Sequence, residues 1–210
     1  MRIAVIGVTG RTGRPLLEEL LRRGHSVVVL VRDPAKLGDP VPGVEVVTGD
    51  SRSREALDRL VVGAEAVIST LGPTAREASL HADTATALVT AMNDAGVRRF
   101  VGVSGAGIDV PGDQKSLSAK AISKAIQTLG GDVVKDKPAE YLVYAASELD
   151  WTLARPPRLV EGEATGRLEH DAHRSTSSTK VVRADLAAFL VDVVEQGLYV
   201  RQAPFVASSR

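Results

Sequence analysis

Cysteine is absent from this chain of 210 residues, which excludes disulfides, thiolate catalysis and cysteine metal sites and is compatible with a reducing compartment. Charge of one sign is lacking too. Its 26 basic and 26 acidic residues cancel, so no overall field steers the molecule to nucleic acid or to an anionic membrane, and neither is expected as a partner. Long hydrophobic runs are missing as well: the first, Ile3-Ala4-Val5-Ile6, is cut short by Gly7. That is too brief for a signal peptide or a membrane span, and the expected location is the cytoplasm. Internal repeats and coiled-coil heptads are also absent.

What is present fits one globular domain over 1–210, since a chain of this length with 44% hydrophobic residues can bury a sizeable core. Apolar, β-rich runs recur at 2–6, 27–31, 44–47, 65–70, 98–103 and 151–155, with helical patterns between them. This alternation predicts an α/β fold with a doubly wound parallel sheet and right-handed crossovers. Helices are expected over 14–23, 51–62, 74–96 (stopped by Gly96), 118–129 and 183–196, with a short strand at 204–207. Asp136 is expected to cap a further helix, with Pro138 in its first turn. The stretches 105–117 and 162–179 are polar and glycine-rich, and each begins near a strand's C-terminal end, where an open α/β sheet binds ligands. They are either substrate loops or mobile surface connections.

The stretch Gly7-Val8-Thr9-Gly10-Arg11-Thr12-Gly13 lies between the first strand and the first helix. Glycines there let the chain reverse, let amides approach a pyrophosphate and let the helix pack on the sheet, while the helix N-terminus adds partial positive charge. The spacing is G-x-x-G-x-x-G, and the other reading is a plain tight turn. Arg32 follows the second strand, with Lys36 one turn on. An acidic residue there would take the ribose 2′-hydroxyl of NAD, whereas an arginine pairs with the 2′-phosphate of NADP. Arg32 points to NADP unless it is merely a solvated cation balanced by Asp33.

Ser104 ends the strand at 98–103 and opens the turn Gly105-Ala106-Gly107. Its hydroxyl is placed to meet a substrate or the nicotinamide, or else to satisfy the turn's own backbone. A tyrosine followed four residues later by lysine, the usual proton donor of short-chain dehydrogenases, is missing: Tyr141 is followed by Ala145 and Tyr144 by Glu148. Both tyrosines read as packing residues with wet hydroxyls, and Lys137, just before them, reads either as a solvated helix-start lysine or as one that points toward the crevice at the strand ends. Arg155 and Arg158 flank Pro156-Pro157 and are candidates to hold an anionic substrate, unless one pairs with Glu161 or Glu163. His170, Asp171 and His173 invite a metal, but no further ligand accompanies them, and none is expected.

Together these motifs resemble atypical short-chain dehydrogenases/reductases of the NAD(P)H-binding, NmrA-like type, especially the biliverdin-IXβ reductase/flavin reductase and NADH-flavin reductase branch. The resemblance covers Gly7 to Gly13, Leu30-Val31-Arg32-Asp33, Gly49-Asp50, Leu71-Gly72, Val103-Ser104, Leu149-Asp150-Trp151-Thr152 with Arg155-Pro156-Pro157, and Arg183-Ala184-Asp185-Leu186. It implies that Gly7, Thr9, Gly10, Arg11, Thr12 and Gly13 hold the pyrophosphate and Arg32 and Lys36 the 2′-phosphate. It also implies that Asp50 and Ser51 sit by the adenine, Leu71 and Gly72 by the ribose, and Ser104 by the nicotinamide. The chain departs from biliverdin-IXβ reductase in having Arg158 where that enzyme has histidine, and in a longer segment between Ser104 and Trp151. The implied activity is NADPH-dependent hydride transfer to a flavin, quinone or other conjugated small molecule, by a monomer or homodimer. An isomerase or epimerase that keeps its NADP, and a non-enzymatic NADP-binding redox sensor, are the other two readings.

Overall fold

Burial on both faces explains why the strands read as unbroken apolar runs. In β1 (Arg2–Ile6), Ile3 and Val5 face one helical layer and Ala4 and Ile6 the other. The computed structural model describes residues 1–72, 77–117, 120–121, 123–124 and 131–209. Within it β1, β2 (Ser26–Val31), β3 (Val44–Thr48), β4 (Ala66–Ser69), β5 (Arg99–Val103) and β6 (Asp150–Ala154) form one sheet in the order β3-β2-β1-β4-β5-β6. Every neighbouring pair is parallel. This is the doubly wound Rossmann-type sheet in a single domain, and the six strands read from the sequence match with small shifts at their ends.

Helices α1 (Gly13–Arg22) and α5 (Arg183–Glu195) cover one face through Leu16, Leu20, Leu186 and Leu190. On the other face, α2 (Arg54–Val61), α3 (Leu80–Ala95) and α4 (Gly131–Ala146) pack through Leu57, Leu60, Leu88, Met92 and Tyr144. Each fully buried aliphatic side chain contributes about 1.5–3 kcal/mol. Gly96 ends α3 in the left-handed conformation, φ 70°, and the Val97 amide reaches back to Met92 O at 2.9 Å. That is the expected stop. No helix among the described residues is long and apolar enough to cross a membrane.

One expectation changes, and two fall partly outside the described residues. The helix expected over 118–129 lies mostly outside the described residues, as do the first residues of the one expected from 74. Asp136 does not begin a helix: α4 starts at Gly131 and holds Pro138 in its interior. The Asp136 carboxylate instead accepts the His81 and Ala82 amides of α3, at 2.7 and 3.0 Å. The chemistry of a cap is present, on a neighbouring helix.

The two polar stretches are also more ordered than their composition implies. Residues 162–179 contain β8 (Leu168–Asp171), which pairs antiparallel with β10 (Phe205–Ser208). Flanking them, β7 (Arg158–Val160) pairs parallel with β9 (Lys180–Val182). Within 105–117, Lys115 is 7% exposed and donates to Ile108 O, Asp109 Oδ1 and Ser123 Oγ at 2.6, 2.8 and 3.0 Å. Polar residues here are inside because each finds a partner.

Candidate functional site

At the C-terminal edge of the sheet the chain leaves β1 toward β2 on one side and later resumes at β4 on the other. This is the switch point where such sheets open a crevice. The glycine turn fills it. Gly7 has φ 85°, and a Cβ there would lie 2.8 Å from Leu71 N, so β4's loop closes against it. A Cβ on Gly13 would lie 2.2 Å from Gly7 O and 2.6 Å from Val8 Cα, so this glycine lets α1 pack against the turn. Gly10 differs: its Cβ would meet Gly7 O alone, at a tight 3.2 Å that asks this carbonyl to give by a few tenths of an ångström, and the residue is exposed. The three glycines thus divide into tight turn, open approach and close packing, with the first turn of α1 presented at the same place. Thr70 Oγ1 donates to Gly7 O at 3.2 Å and ties the turn to β4.

The crevice continues toward the ends of β2 and β3, lined by Gly7, Thr9, Arg32, Asp50, Ser51 and Leu71. Arg32 leaves β2 with its side chain 64% exposed and Nη1 3.7 Å from Glu77 Oε1. Arg52 lies beside it, 2.9 Å from both Asp50 Oδ1 and Glu77 Oε2. The Arg52 guanidinium holds the Asp50 carboxyl below its usual range, with Arg32 adding to the effect. Ser51 is buried and its Oγ lies 2.8 Å from Thr84 Oγ1 of α3. Leu71 O lies 3.2 Å from His81 Nε2, whose Nδ1 is 2.7 Å from Asp136 Oδ2. The wall at Leu71 is thereby anchored through a buried imidazole–carboxylate pair.

At the end of β5, Ser104 extends the β5–β6 pairing through N–H to Ala154 O at 2.8 Å. Its Oγ is buried and has no hydrogen-bond partner among the described residues. Lys137 reaches the same strand end, donating to Val103 O and to Glu140 Oε2, each at 2.9 Å. Orphaned buried hydroxyls are rare in folded proteins, and this one stands at a strand end that Lys137 also reaches.

The family model described as NAD(P)H-binding matches residues 7–197. The chain belongs to the NAD(P)H-binding family. Over 120 residues, 52% of this chain, it is 36% identical to isoflavone reductase homolog P3 of Arabidopsis thaliana. The chain spans less than half the length of the curated relatives it matches. Among solved structures it is similar to a protein of Burkholderia pseudomallei, with 32% identity, 99% of each chain covered and TM-score 0.80. It is also similar to the anaerobilin reductase ChuY of Escherichia coli O157:H7, with 21% identity, 99% and 97% of the chains covered and TM-score 0.82, which bears on the fold alone.

In this family member the structure brings most sequence-derived residues together and removes some. Arg155 is removed from the crevice. It is 0% exposed, its two terminal nitrogens each lie 2.7 Å from an Asp113 oxygen, its Nε lies 2.6 Å from Ala203 O and its guanidinium stacks 3.8 Å above the Phe205 ring. With its fork fully used it holds the 105–117 loop down and has nothing left for a substrate. Arg158 stays exposed at the start of β7. Glu161 pairs with neither of these arginines. Its Oε1 lies 2.9 Å from Arg183 Nε and 3.9 Å from Arg11 Nη1 of the glycine turn.

Tyr144 does not keep a wet hydroxyl. It is 1% exposed and stacks on Phe100 at 4.1 Å, and burial pushes its phenol well above the ordinary value. Tyr141 packs edge-on against Trp151 at 5.8 Å. Lys36 is exposed on the short helix after β2, and its carbonyl accepts from Arg14. Asp33 does not balance Arg32, because it accepts the Ala35 amide at 3.1 Å. Asp171 caps its own turn through the His173 and Arg174 amides, and His170 Nδ1 lies 2.6 Å from Tyr199 OH. Sequence reasoning missed Arg52 and Glu77, and it left Lys137 between solvent and the crevice. The signal for Lys137 was Glu140 one turn later; nothing local distinguishes Glu77.

Proposed function

We propose that this chain is an NADPH-dependent reductase that passes hydride to a flavin, quinone or similar conjugated small molecule, as a cytoplasmic monomer or homodimer. The observation that carries the reading is the crevice at the glycine turn, lined by Gly7, Thr9, Arg32, Asp50, Ser51 and Leu71, together with the unpartnered Ser104 hydroxyl at the end of β5. When bound, the nicotinamide would supply the hydride. In this reading Gly7, Thr9, Gly10, Arg11, Thr12 and Gly13 hold the pyrophosphate, and Arg32 and Lys36 take the 2′-phosphate. Asp50 and Ser51 flank the adenine, and Leu71 and Gly72 the ribose.

Ser104 orients the acceptor, Lys137 sets the polarity of that strand end, and Arg158 offers charge to an anionic acceptor. Tyr144 is excluded as an acid by its burial, so the proton comes from solvent, which a flavin or quinone accepts without an enzyme-bound donor. The name of the isoflavone reductase homologue supports a reductase role. The test is NADPH oxidation with flavin mononucleotide and with a soluble quinone. Consumption of NADPH with either supports the proposal. Substrate conversion with unchanged cofactor would favour an isomerase, and tight NADP binding without turnover a sensor.

A further inference from the structure

Two arginines at the adenine end of the crevice share one carboxylate. Glu77 Oε1 stands 3.7 Å from Arg32 Nη1 and its Oε2 stands 2.9 Å from Arg52 Nη1, while Asp50 holds the other side of Arg52. The two guanidinium charges of Arg32 and Arg52 are therefore met by two carboxylates. A ribose 2′-phosphate would draw on the same guanidinium charges that Glu77 pairs with by charge alone, its Oε2 making no hydrogen bond among the described residues. Asp50 touches only Arg52; Glu77 faces both arginines.

We infer that Glu77 is an internal competitor for the 2′-phosphate, so that this one carboxylate sets the margin by which NADPH is preferred over NADH. The inference rests on the proposed placement of the 2′-phosphate at Arg32. NADH brings only a hydroxyl and leaves the Glu77 pairs standing, whereas NADPH exchanges them for phosphate contacts. The Glu77 side chain is 23% exposed and that of Arg52 39%, so each pair is weak and its removal shifts affinity modestly.

The experiment measures dissociation constants of NADPH and NADH for the wild type and for Glu77→Gln, Arg32→Ala and Arg52→Ala, each checked for folding by circular dichroism. Glu77→Gln keeps the shape and removes the charge. It is expected to tighten NADPH about three- to tenfold, leave NADH unchanged, and lose this effect as salt is raised. Arg32→Ala and Arg52→Ala are expected to weaken NADPH selectively. If they do so while Glu77→Gln changes neither cofactor, or both equally, the competitor inference is overturned and the Arg32 placement stands. If Glu77→Gln weakens NADH, Glu77 is a ribose ligand and the inference is likewise wrong. If the wild type binds both cofactors equally and Arg32→Ala has no effect, the placement itself fails and the inference falls with it.

Discussion

Replacing Arg155 by methionine separates a structural arginine from a substrate-binding one. The guanidinium is wholly buried, makes two 2.7 Å contacts to Asp113, and leaves that carboxylate only 10% exposed. Breaking such a pair from one side strands a charge and typically costs about 3–5 kcal/mol. Lys115 Nζ stands 4.0 Å from Asp113 Oδ2, and the Val110 amide donates to the same oxygen at 3.1 Å, so the lower end, about 3 kcal/mol, is expected. For a chain of this size each kcal/mol moves the melting temperature by about 2–4 °C, hence a fall of about 6–12 °C. Thermal unfolding followed by circular dichroism reads it, and NADPH titration well below the transition should give the wild-type constant. Asp113→Ala should cost a similar amount, and the double variant should recover part of the loss because no buried charge remains. A methionine variant with native stability and a raised KM for an anionic acceptor would put Arg155 back in the substrate site.

Arg32→Ala should remove most of the preference for NADPH over NADH, since a charge-assisted bond contributes about 1.5–3 kcal/mol, roughly ten- to a hundredfold in affinity; equal constants in the wild type would contradict the assignment. Tyr141→Phe and Tyr144→Phe should each keep most of the turnover with flavin mononucleotide or a quinone, while Ser104→Ala loses about 0.5–1.5 kcal/mol, a severalfold effect. A loss of roughly a thousandfold in either Phe variant, about 4 kcal/mol, would show that a tyrosine acid is required. For Asp136, burial pushes the carboxyl up, but the His81 and Ala82 amides and the His81 ring outweigh it and hold it below its ordinary value of 3.8. Its contribution is therefore fully present above that value and lost as pH falls through the depressed one. Unfolding midpoints measured down an acid series should flatten in Asp136→Asn relative to the wild type; parallel profiles would refute the cap.

The parts of the fold legible in the sequence were those that local pattern dictates. Val27 to Val31 reads as a strand because a parallel strand is buried on both faces, and Gly7, Gly10 and Gly13 read as a tight strand-to-helix turn because strand, glycine spacing and helix follow in order. Contacts closed over long separations were not legible. Arg155 sits at a strand end, where ligands usually bind, but its partner Asp113 comes from a loop 42 residues earlier in the chain. Asp136 shows capping chemistry, yet the His81 amide it caps lies 55 residues before it. Lys137 was left between solvent and crevice because α4's start was placed too late, at Asp136 rather than Gly131, which hid its reach to Val103 O. Tyr144 offered no sign that Phe100 would cover its ring.

The central claim is that the glycine turn holds a dinucleotide, and Gly10 is where it is most exposed to test. Its φ is not positive, and a side chain there meets only Gly7 O, so Gly10→Val should fold. The same side chain would occupy the space a pyrophosphate needs. Calorimetric titration of NADPH into the wild type and into Gly10→Val decides the matter. The account predicts binding by the wild type and none detectable by a variant with native circular dichroism; a folded Gly10→Val that binds NADPH with wild-type affinity would contradict it.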